Sequence, residues 1–276
     1  MDQYCVLGNP VEHSRSPWIH ARFAQLTGQD IGYGKRLVPL DGFVAGVESF
    51  RAGGGKGCNI TVPFKFEAAP LATTLTARAR LAAACNTLRF DVAGAVFADN
   101  TDGVGLVSDI QGNAGVALAG RDLLLIGAGG AAAGVLGPLL GAKPRRIVVT
   151  NRTAGKARSL VERHAALAKA CGVTLSAVAL DAVPGPFDVV VNATASSLSG
   201  SGIPVPDSVL KPGALAVDMM YGPAADGFMA WAREHGAVPR DGLGMLVEQA
   251  AEAFLVFRGV RPPSQQVLAE LRASLA

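Results

Sequence analysis

Short apolar runs alternate with longer segments of helical spacing along this chain of 276 residues. The runs at 3–7 and 123–126 end at glycine, which is typical of strands that are buried in a sheet. The segments 17–26 and 154–170 instead have a proline in the first turn or an amphipathic pattern, which favours helices. The alternation predicts an α/β fold made of successive strand and helix units.

The same patterns predict the other elements. Strands are expected at 31–40, 57–62, 86–90, 95–98, 146–150, 174–180, 188–194 and 214–220. Helices are expected at 43–52, 76–84, 131–140, 223–235, 245–257 and 264–275. Residues 91–94 are expected to form a hairpin turn, and 104–121 a connecting helix and loop.

A glycine-rich turn between an apolar strand and a small-residue helix predicts a dinucleotide site. Residues Gly127, Ala128, Gly129, Gly130, Ala131 and Ala132 fit the pattern G-x-G-x-x-A. The first glycine allows the tight turn, and the second lets the backbone approach a pyrophosphate at the helix N-terminus. Residues 123–142 carry no charge and are long enough for a membrane span, but six glycines and Pro138 argue against one.

The residues after the second strand indicate which dinucleotide binds. An NAD site would carry Asp or Glu about twenty residues beyond the glycines, to bind the ribose 2′-hydroxyl. This chain has Asn151, Arg152 and Thr153 there, with Lys156 one turn later. A cation in place of an acid predicts a 2′-phosphate, and hence NADP. Asn192 and Thr194, at the carboxyl end of another strand, are also expected to contact the cofactor.

Composition excludes several other classes of function. Half of the residues are apolar, and 25 Lys and Arg stand against 22 Asp and Glu without a basic run, so nucleic-acid binding is not expected. The four cysteines are widely spaced, which predicts small buried side chains and neither a disulfide framework nor a metal site. The first residues lack the pattern of a secretory signal, so we expect a cytoplasmic protein without membrane association.

Several short segments, in their order and separation, resemble those of the shikimate dehydrogenase family. The segments are Ser14-Arg15-Ser16, Asn59 to Lys65, Asn86-Thr87, Asp99 to Gly103, the Gly127 turn, Asn151 to Thr153, Asn192 to Thr194, Asp218 to Tyr221, and Gly242 to Leu246 with Gln249. The resemblance covers nearly the whole chain. It implies a two-domain enzyme that reduces 3-dehydroshikimate to shikimate with NADPH, in aromatic amino-acid biosynthesis. Its domains would be a substrate domain, 1–103 with 240–276, and a Rossmann-type NADP-binding domain, 104–239.

The resemblance also implies roles for single residues. It makes Lys65 and Asp102 catalytic. The implied substrate-binding residues are Ser14, Ser16, Asn59, Thr61, Lys65, Asn86, Asp102, Tyr221 and Gln249. The implied cofactor-binding residues are Gly127, Ala128, Gly129, Gly130, Ala131, Asn151, Arg152, Thr153, Lys156, Asn192, Thr194, Met219, Gly242 and Met245. The chain departs from the family at Ala133, where many members carry Arg, and Cys85 is also unusual.

The chemistry of ketone reduction fits the two catalytic candidates. A hydride must reach the carbonyl carbon, and a proton must reach the developing alkoxide. Lys65 can donate that proton while Asp102 orients the Lys65 side chain. From the residues alone, Lys65 could be a solvated lysine, Asp102 a helix cap and Ser16 the N-cap before Pro17. A regulator that binds the same ligands without turnover and an NAD-dependent quinate/shikimate dehydrogenase are the alternatives. A monomer or a homodimer is expected.

Overall fold

The computed structural model describes residues 1–194 and 203–275, and the chain forms two compact units. Unit 1 consists of Met1–Gly105 and Leu246–Ala276, and unit 2 of Leu106–Met245. Each unit has its own sheet and hydrophobic core. The fold is therefore α/β with two domains, as the sequence predicts.

The strands, in chain order, divide evenly between the two units. They are β1 (Asp2–Gly8), β2 (Ile31–Leu37), β3 (Gly55–Ile60), β4 (Thr74–Leu75), β5 (Thr87–Phe90), β6 (Val96–Asp99), β7 (Asp122–Ile126), β8 (Arg146–Thr150), β9 (Thr174–Val178), β10 (Phe187–Asn192), β11 (Leu210–Asp218) and β12 (Val238–Arg240).

The helices follow the strands in alternation for most of the chain. They are α1 (Ser16–Thr27), α2 (Phe43–Ala52), α3 (Lys65–Ala68), α4 (Ala77–Ala82), α5 (Asp102–Ser108), α6 (Gly130–Gly141), α7 (Ala154–Cys171), α8 (Asp226–Glu234), α9 (Leu243–Arg258) and α10 (Ser264–Leu275). The chain passes from one unit to the other within α5 and again within α9.

The sheet of unit 1 brings several strand ends to one edge. Its order is β2-β1-β3-β5-β6-β4; β3 is parallel to β1 and antiparallel to β5, which in turn is antiparallel to β6. The ends of β1, β3 and β6 and the start of β5 therefore lie at the same edge. The loops at this edge carry most of the substrate residues that the resemblance implies.

The sheet of unit 2 is parallel throughout its described strands. Its order is β12-β11-β10-β7-β8-β9, so in chain order within the unit it runs 6-5-4-1-2-3. This is the strand order of a Rossmann dinucleotide-binding fold. The strand order reverses between β7 and β10, and a ligand is expected beyond the carboxyl ends of these two strands.

The structure differs from the sequence prediction in a few elements. Neither the two-residue β4 nor β12 is predicted, because both are too short to show a period. The predicted helix 223–235 is instead a 3₁₀ turn, Gly222–Ala225, followed by α8. Strand β11 begins at Leu210 rather than at 214, with Pro212 and Gly213 inside it.

Three of the four cysteines are buried, as their interpretation as small buried side chains predicts, whereas Cys171 is partly exposed. Cys5, Cys58 and Cys85 are buried, and burial raises the pKa of Cys5 and of Cys85 to about 12. Within residues 1–194 and 203–275, no helix combines the length and the apolar character needed to cross a bilayer.

Candidate active site

Lys65 and Asp102 form an ion pair in unit 1. Lys65 lies in the first turn of α3, just after β3, and Asp102 begins α5, just after β6. Lys65 Nζ donates to Asp102 Oδ2 over 2.6 Å, and the two side chains are 15% and 5% exposed. The alternative of a solvated lysine is therefore wrong for this structure. An ammonium that is mostly buried and held by one carboxylate suits proton transfer better than a surface charge does.

Asn86 links this ion pair to the rest of a polar network. Its Nδ2 lies 2.9 Å from Asp102 Oδ1, 2.9 Å from Thr101 Oγ1 and 3.2 Å from Gln249 Oε1. Its Oδ1 accepts from the backbone N–H of Thr101 and from the Thr87 hydroxyl, both over 2.9 Å. The network fixes the Asn86 carboxamide in one orientation and holds Asp102 from the side opposite Lys65.

The carboxylate of Asp99 anchors the loop that carries Asp102. Its Oδ1 accepts from Thr76 Oγ1 over 2.6 Å, and both of its oxygens accept from Arg78, over 2.7 and 2.5 Å. Asp99 is 1% exposed, and its Oδ1 also accepts from the backbone N–H of Asn100. Such bidentate charge-assisted bonds restrict the end of β6, so Asp102 leaves that strand at a defined position.

Gln249 reaches the network because α5 and α9 pack closely. A Cβ placed on Gly105 would lie 2.6 Å from the backbone N of Gln249, so only glycine permits this approach. Gln249 Nε2 donates to the carbonyl of Leu246 over 2.8 Å, which leaves Oε1 to face Asn86.

Asn59 and Tyr33 extend the network along the sheet edge. Asn59 Nδ2 donates to the carbonyl of Asn86 over 3.1 Å and to Thr87 Oγ1 over 3.0 Å, while its Oδ1 accepts from the Tyr33 hydroxyl over 2.7 Å. Sequence reasoning missed Tyr33, Thr87 and Thr101 as members. Thr87 and Thr101 stand beside Asn86 and Asp102 in the chain, which could have indicated them, but Tyr33 lies on β2, far from every quoted segment.

Ser14 and Ser16 lie in the loop after β1, and the proposed N-cap role of Ser16 is wrong. Ser16 is the first residue of α1; Arg15 occupies the cap position, and no side chain caps the helix. Ser14 Oγ lies 3.2 Å from Ser16 Oγ and accepts from the Ser16 backbone N–H over 3.3 Å. The two hydroxyls thus form a pair, with Ser16 buried and Ser14 partly exposed.

Thr61 follows β3 but its hydroxyl is not part of this network. Its backbone N–H donates to the carbonyl of Leu7 over 2.9 Å, which places the residue beside the end of β1. Among the described residues no hydrogen bond to its hydroxyl occurs, and the side chain is partly exposed. Thr61 is thus near the edge where the other residues meet, with its hydroxyl free to bind a ligand.

The glycine turn of unit 2 has the geometry that its motif predicts. Gly127 follows β7 with φ +117°, and a Cβ there would lie 2.9 Å from the carbonyl oxygen of Ala193. Its N–H donates to the carbonyl of Thr150 over 2.7 Å. Ala128 is partly exposed, and Gly130 and Ala131 form the first turn of α6. The turn therefore lies at the point where the strand order reverses.

The exposed side of this turn fits a dinucleotide. A Cβ on Gly129 would have no atom of residues 1–194 or 203–275 within 4 Å, so the space that glycine leaves open there is available to a ligand. No side chain of the described residues caps α6, so its first N–H groups are placed to bind a phosphate. Ala133 is buried and brings no charge to the helix.

Two cations beyond β8 supply positive charge. Arg152 and Lys156 are exposed, and within the described part of the chain neither forms an ion pair. Asn151 Nδ2 donates to the carbonyl of Thr153 over 3.0 Å, which orders the loop between β8 and α7. Free cations on an ordered loop are suited to bind a phosphate group.

The other cofactor candidates lie at the carboxyl ends of β10 and β11. Asn192 Nδ2 donates to Asp218 Oδ2 over 3.0 Å, and Asn192 Oδ1 accepts from the Thr194 hydroxyl over 2.8 Å. The Met219 N–H donates to the carbonyl of Asn192 over 3.0 Å. Tyr221 follows Met219 by two residues and belongs to unit 2, not to the network of unit 1.

Gly242 and Met245 complete the cofactor candidates. The backbone N–H of Gly242 donates to the carbonyl of Met220 over 2.8 Å, which ties the loop after β12 to the end of β11. Met245 is 6% exposed and lies in the first turn of α9. Both residues belong to unit 2.

These features define a class of protein: two-domain α/β proteins with a Rossmann dinucleotide fold and a separate polar site that contains a lysine–aspartate pair. Comparison with known families agrees with this class. Three family models match: the shikimate dehydrogenase substrate binding domain at residues 6–88, shikimate / quinate 5-dehydrogenase at 110–199, and the shikimate 5′-dehydrogenase C-terminal domain at 242–272. The chain belongs to the shikimate dehydrogenase family.

Individual relatives are similar over the full length. The shikimate dehydrogenase (NADP(+)) of Paracidovorax citrulli is 67% identical over 99% of this chain and 98% of its own. A solved enzyme designated Ael1 from Pseudomonas putida is 45% identical, with a TM-score of 0.88 and 98% of both chains covered. The Thermus thermophilus shikimate 5-dehydrogenase, solved with NADP(H) and shikimate, is 29% identical, with a TM-score of 0.85 and 99% of both chains covered.

Proposed function

We propose that this chain catalyses the reversible, NADPH-dependent reduction of 3-dehydroshikimate to shikimate. One observation carries the choice of an enzyme over a regulator: Lys65 Nζ and Asp102 Oδ2 lie 2.6 Å apart within a mostly buried polar network. A protein that only binds ligands would not require a proton donor. The NADP-dependent relatives named above support the choice of reaction.

The proton step belongs to Lys65. Residues of the glycine turn in unit 2 would hold NADPH, and the bound cofactor would supply the hydride that reduces the carbonyl carbon and leaves a negatively charged oxygen there. The Lys65 ammonium donates its proton to this oxygen and becomes a neutral amine, and water restores the proton after the reaction. Asp102 accepts a hydrogen bond from Lys65 and stabilises its charged form between cycles. In the reverse direction the neutral amine accepts the proton of the alcohol.

The neutral residues around this pair are proposed to bind the ring hydroxyls. Asn59, Thr61, Asn86 and Gln249 offer donors and acceptors without charge, and Asp102 adds an acceptor. A buried site of this kind selects hydroxylated ligands, because a ligand without the hydroxyl would leave these groups unpaired. The hydroxyl pair of Ser14 and Ser16 is proposed to bind the substrate carboxylate. Tyr221 is proposed as a further substrate-binding residue.

Unit 2, Leu106–Met245, is proposed to hold the cofactor, and unit 1, Met1–Gly105 with Leu246–Ala276, the substrate. The limits predicted from sequence for these two domains are 104–239 and 1–103 with 240–276. Residues 127–131 would bind the pyrophosphate. Asn151, Arg152, Thr153 and Lys156 would surround the 2′-phosphate. Asn192, Thr194, Met219, Gly242 and Met245 would contact the rest of the cofactor. The molecule is proposed to be a monomer or a homodimer and to act in the cytoplasm; light scattering after size-exclusion chromatography decides between the two oligomeric states.

One assay tests the proposal. Reduced cofactor is followed at its absorbance maximum with each pair of shikimate or quinate and NADP or NAD. We expect kcat/KM to be highest by far for shikimate with NADP. Quinate adds a hydroxyl to the carbon that carries the carboxylate, and we expect crowding by Ser14 and Ser16 to disfavour it there. Equal values for the two acids would contradict the assignment of the serines, and the absence of turnover with every pair would support the regulator.

A further inference from the structure

His20 is a buried titratable residue that the proposed mechanism does not use. It lies on α1, four residues after Ser16, and is fully buried. Neither ring nitrogen has a hydrogen-bond partner among the described residues. Burial lowers the pKa of His20 to about 3, so the ring is neutral at physiological pH. A polar side chain in this condition needs another reason to occupy the position.

The ring of His20 lies flat against Tyr33. The two ring centroids are 4.0 Å apart and the planes differ by 6°, which is a face-to-face stack. Phe23, Phe254 and Phe257 surround His20 at centroid distances of 6.0 to 6.1 Å. Tyr33 therefore cannot tilt towards α1, and its hydroxyl is held at a fixed place beyond the end of the stack.

The Tyr33 hydroxyl can donate one hydrogen bond, and the hydrogen bonds of its neighbours determine which group accepts it. Both donors of the Asn59 carboxamide point to the Asn86 carbonyl and to Thr87, so Oδ1 of Asn59 faces Tyr33 and must accept. Tyr33 thus donates to Asn59. Burial raises the pKa of Tyr33 well above its ordinary value, and the nearby Ser16 hydroxyl partly opposes this rise. The phenol is therefore protonated and able to donate at every physiological pH.

We propose that Tyr33, held by the His20 stack, is a positioning residue for substrate binding. It locks the Asn59 carboxamide in one orientation, so the group assigned to a ring hydroxyl is aligned before the substrate binds. His20 acts through its flat ring and not through proton transfer. This inference rests on the proposed function, because Asn59 is taken to bind shikimate.

The test compares two tyrosines on neighbouring strands. Tyr33→Phe removes the hydroxyl that holds Asn59 and keeps the ring for the stack. Tyr4→Phe is the matched control: Tyr4 pairs with Tyr33 across β1 and β2, is buried, and bonds through its hydroxyl to Arg258 rather than to Asn59. We expect Tyr33→Phe to raise the KM for shikimate on the order of tenfold, the effect of losing one buried hydrogen bond. The KM for NADP should stay unchanged in both variants, and Tyr4→Phe should match the wild type for shikimate.

Two variants of His20 separate stacking from acid–base chemistry. His20→Phe keeps an aromatic face without ring nitrogens, and we expect its KM for shikimate and its pH profile of kcat/KM to match the wild type. His20→Ala removes the stack, and we expect the KM to rise as in Tyr33→Phe, with a lower melting temperature. If His20→Ala lowers the melting temperature but leaves the KM unchanged, His20 is merely structural.

The outcomes distinguish this inference from the proposed function. If the wild type oxidises shikimate but Tyr33→Phe behaves like Tyr4→Phe, the positioning role is wrong and the function stands. If the KM for shikimate rises as much in His20→Phe as in His20→Ala, the ring nitrogens of His20 are required and the stacking role is wrong. If the wild type neither binds shikimate in a calorimetric titration nor oxidises it, the proposed function and this inference fail together.

Discussion

At the scale of single residues, we propose that the preference for NADP over NAD depends on exposed positive charges after β8. Arg152 and Lys156 are exposed and lack ion-pair partners within the described residues, whereas Arg78, Arg240 and Arg258 are held by carboxylates. A guanidinium without an internal partner is available to a phosphate dianion, and each charge-assisted hydrogen bond contributes roughly 1.5 to 3 kcal/mol.

Arg152→Ala should therefore raise the KM for NADP by about tenfold or more and leave the KM for NAD nearly unchanged. The measurement is initial rates with shikimate over a range of each cofactor. Lys169→Ala is the control, because it also removes one exposed positive charge but near the far end of α7, about 25 Å along the helix. An equal rise in the KM for NADP and for NAD would show that Arg152 does not discriminate between the two cofactors.

Single residues also mark the limit of sequence reasoning. Lys65, Asp102, Asn86, Asn59 and Gln249 stand in short motifs, and the structure brings them into one network. Tyr33 has no motif; only the pairing of β2 with β1 and the stack with His20 bring it to Asn59. The capping interpretation of Ser16 was wrong because Ser before Pro is a strong local signal, while the paired Ser14 hydroxyl is visible only in the folded loop.

At the scale of elements, the turn between β7 and α6 has two glycines with different constraints. Gly127 is constrained by its own chain, through φ +117° and the nearby Ala193 carbonyl. Gly129 has φ −86°, and no atom of the described residues lies within 4 Å of a Cβ placed there, so this part of the protein tolerates a side chain at the position. Only a bound pyrophosphate would require glycine at the second position.

The two alanine substitutions should consequently separate folding from binding. Gly129→Ala should keep the melting temperature within about 2 °C of the wild type, since it strains nothing, yet weaken NADP binding at least tenfold. Gly127→Ala should lower the melting temperature, because alanine is strained at this φ and collides with the Ala193 carbonyl. Thermal unfolding and calorimetric NADP titration check both. Normal NADP affinity in Gly129→Ala would contradict the position assigned to the pyrophosphate.

Regular elements with a clear period could be predicted from sequence, and short ones could not. Strands β7, β8 and β10 are apolar runs buried on both faces, and they agree with the predicted ranges within one or two residues. Strand β12 has three residues and includes Pro239, which in isolation argues against a strand. Its position at the edge of the sheet explains how a proline is accommodated.

At the scale of the whole molecule, each unit has its own core and its own buried histidine. His20 lies in unit 1 and His164 in unit 2, and burial lowers the pKa of both. A histidine that stays neutral when folded but binds a proton when unfolded makes stability depend on pH. The pKa of His20 is about 3 in the folded state and about 6.5 in the unfolded state. The unfolding free energy is therefore at its full value above about pH 6.5, and it decreases as the pH falls towards 3 because only the unfolded state binds the proton.

Unit 1 should thus lose about 2 kcal/mol of unfolding free energy between pH 7 and pH 5 through His20. The chain has two tryptophans, Trp18 in unit 1 and Trp231 in unit 2, so a Trp231→Phe background lets Trp18 fluorescence report on unit 1 alone. Urea unfolding at pH 7 and pH 5 gives the difference in unfolding free energy. His20→Phe in the same background should remove most of this difference. An unchanged pH dependence would mean that His20 does not stay neutral in the folded state.

The order of elements was the most predictable property of the whole molecule. Alternating strands and helices, the glycine turn and the last two helices indicate an α/β protein with two domains. The strand order and the meeting of distant loops at one sheet edge could not be predicted from single-residue patterns, because both depend on pairing between segments far apart in the chain.

The double-mutant cycle of Lys65 and Asp102 tests the central claim most directly. Turnover of shikimate with NADP is measured for Lys65→Ala, Asp102→Ala, the double variant and the wild type, with Lys56→Ala as a control for loss of an exposed lysine. General acid–base catalysis contributes roughly 100- to 10,000-fold. Lys65 acts as the base in this direction, so Lys65→Ala should lose turnover within this range while it still binds NADP. The fold reduction in turnover of the double variant should be smaller than the product of the fold reductions of the two single variants, because the two residues act as a unit. Turnover of Lys65→Ala close to that of Lys56→Ala would contradict the claim.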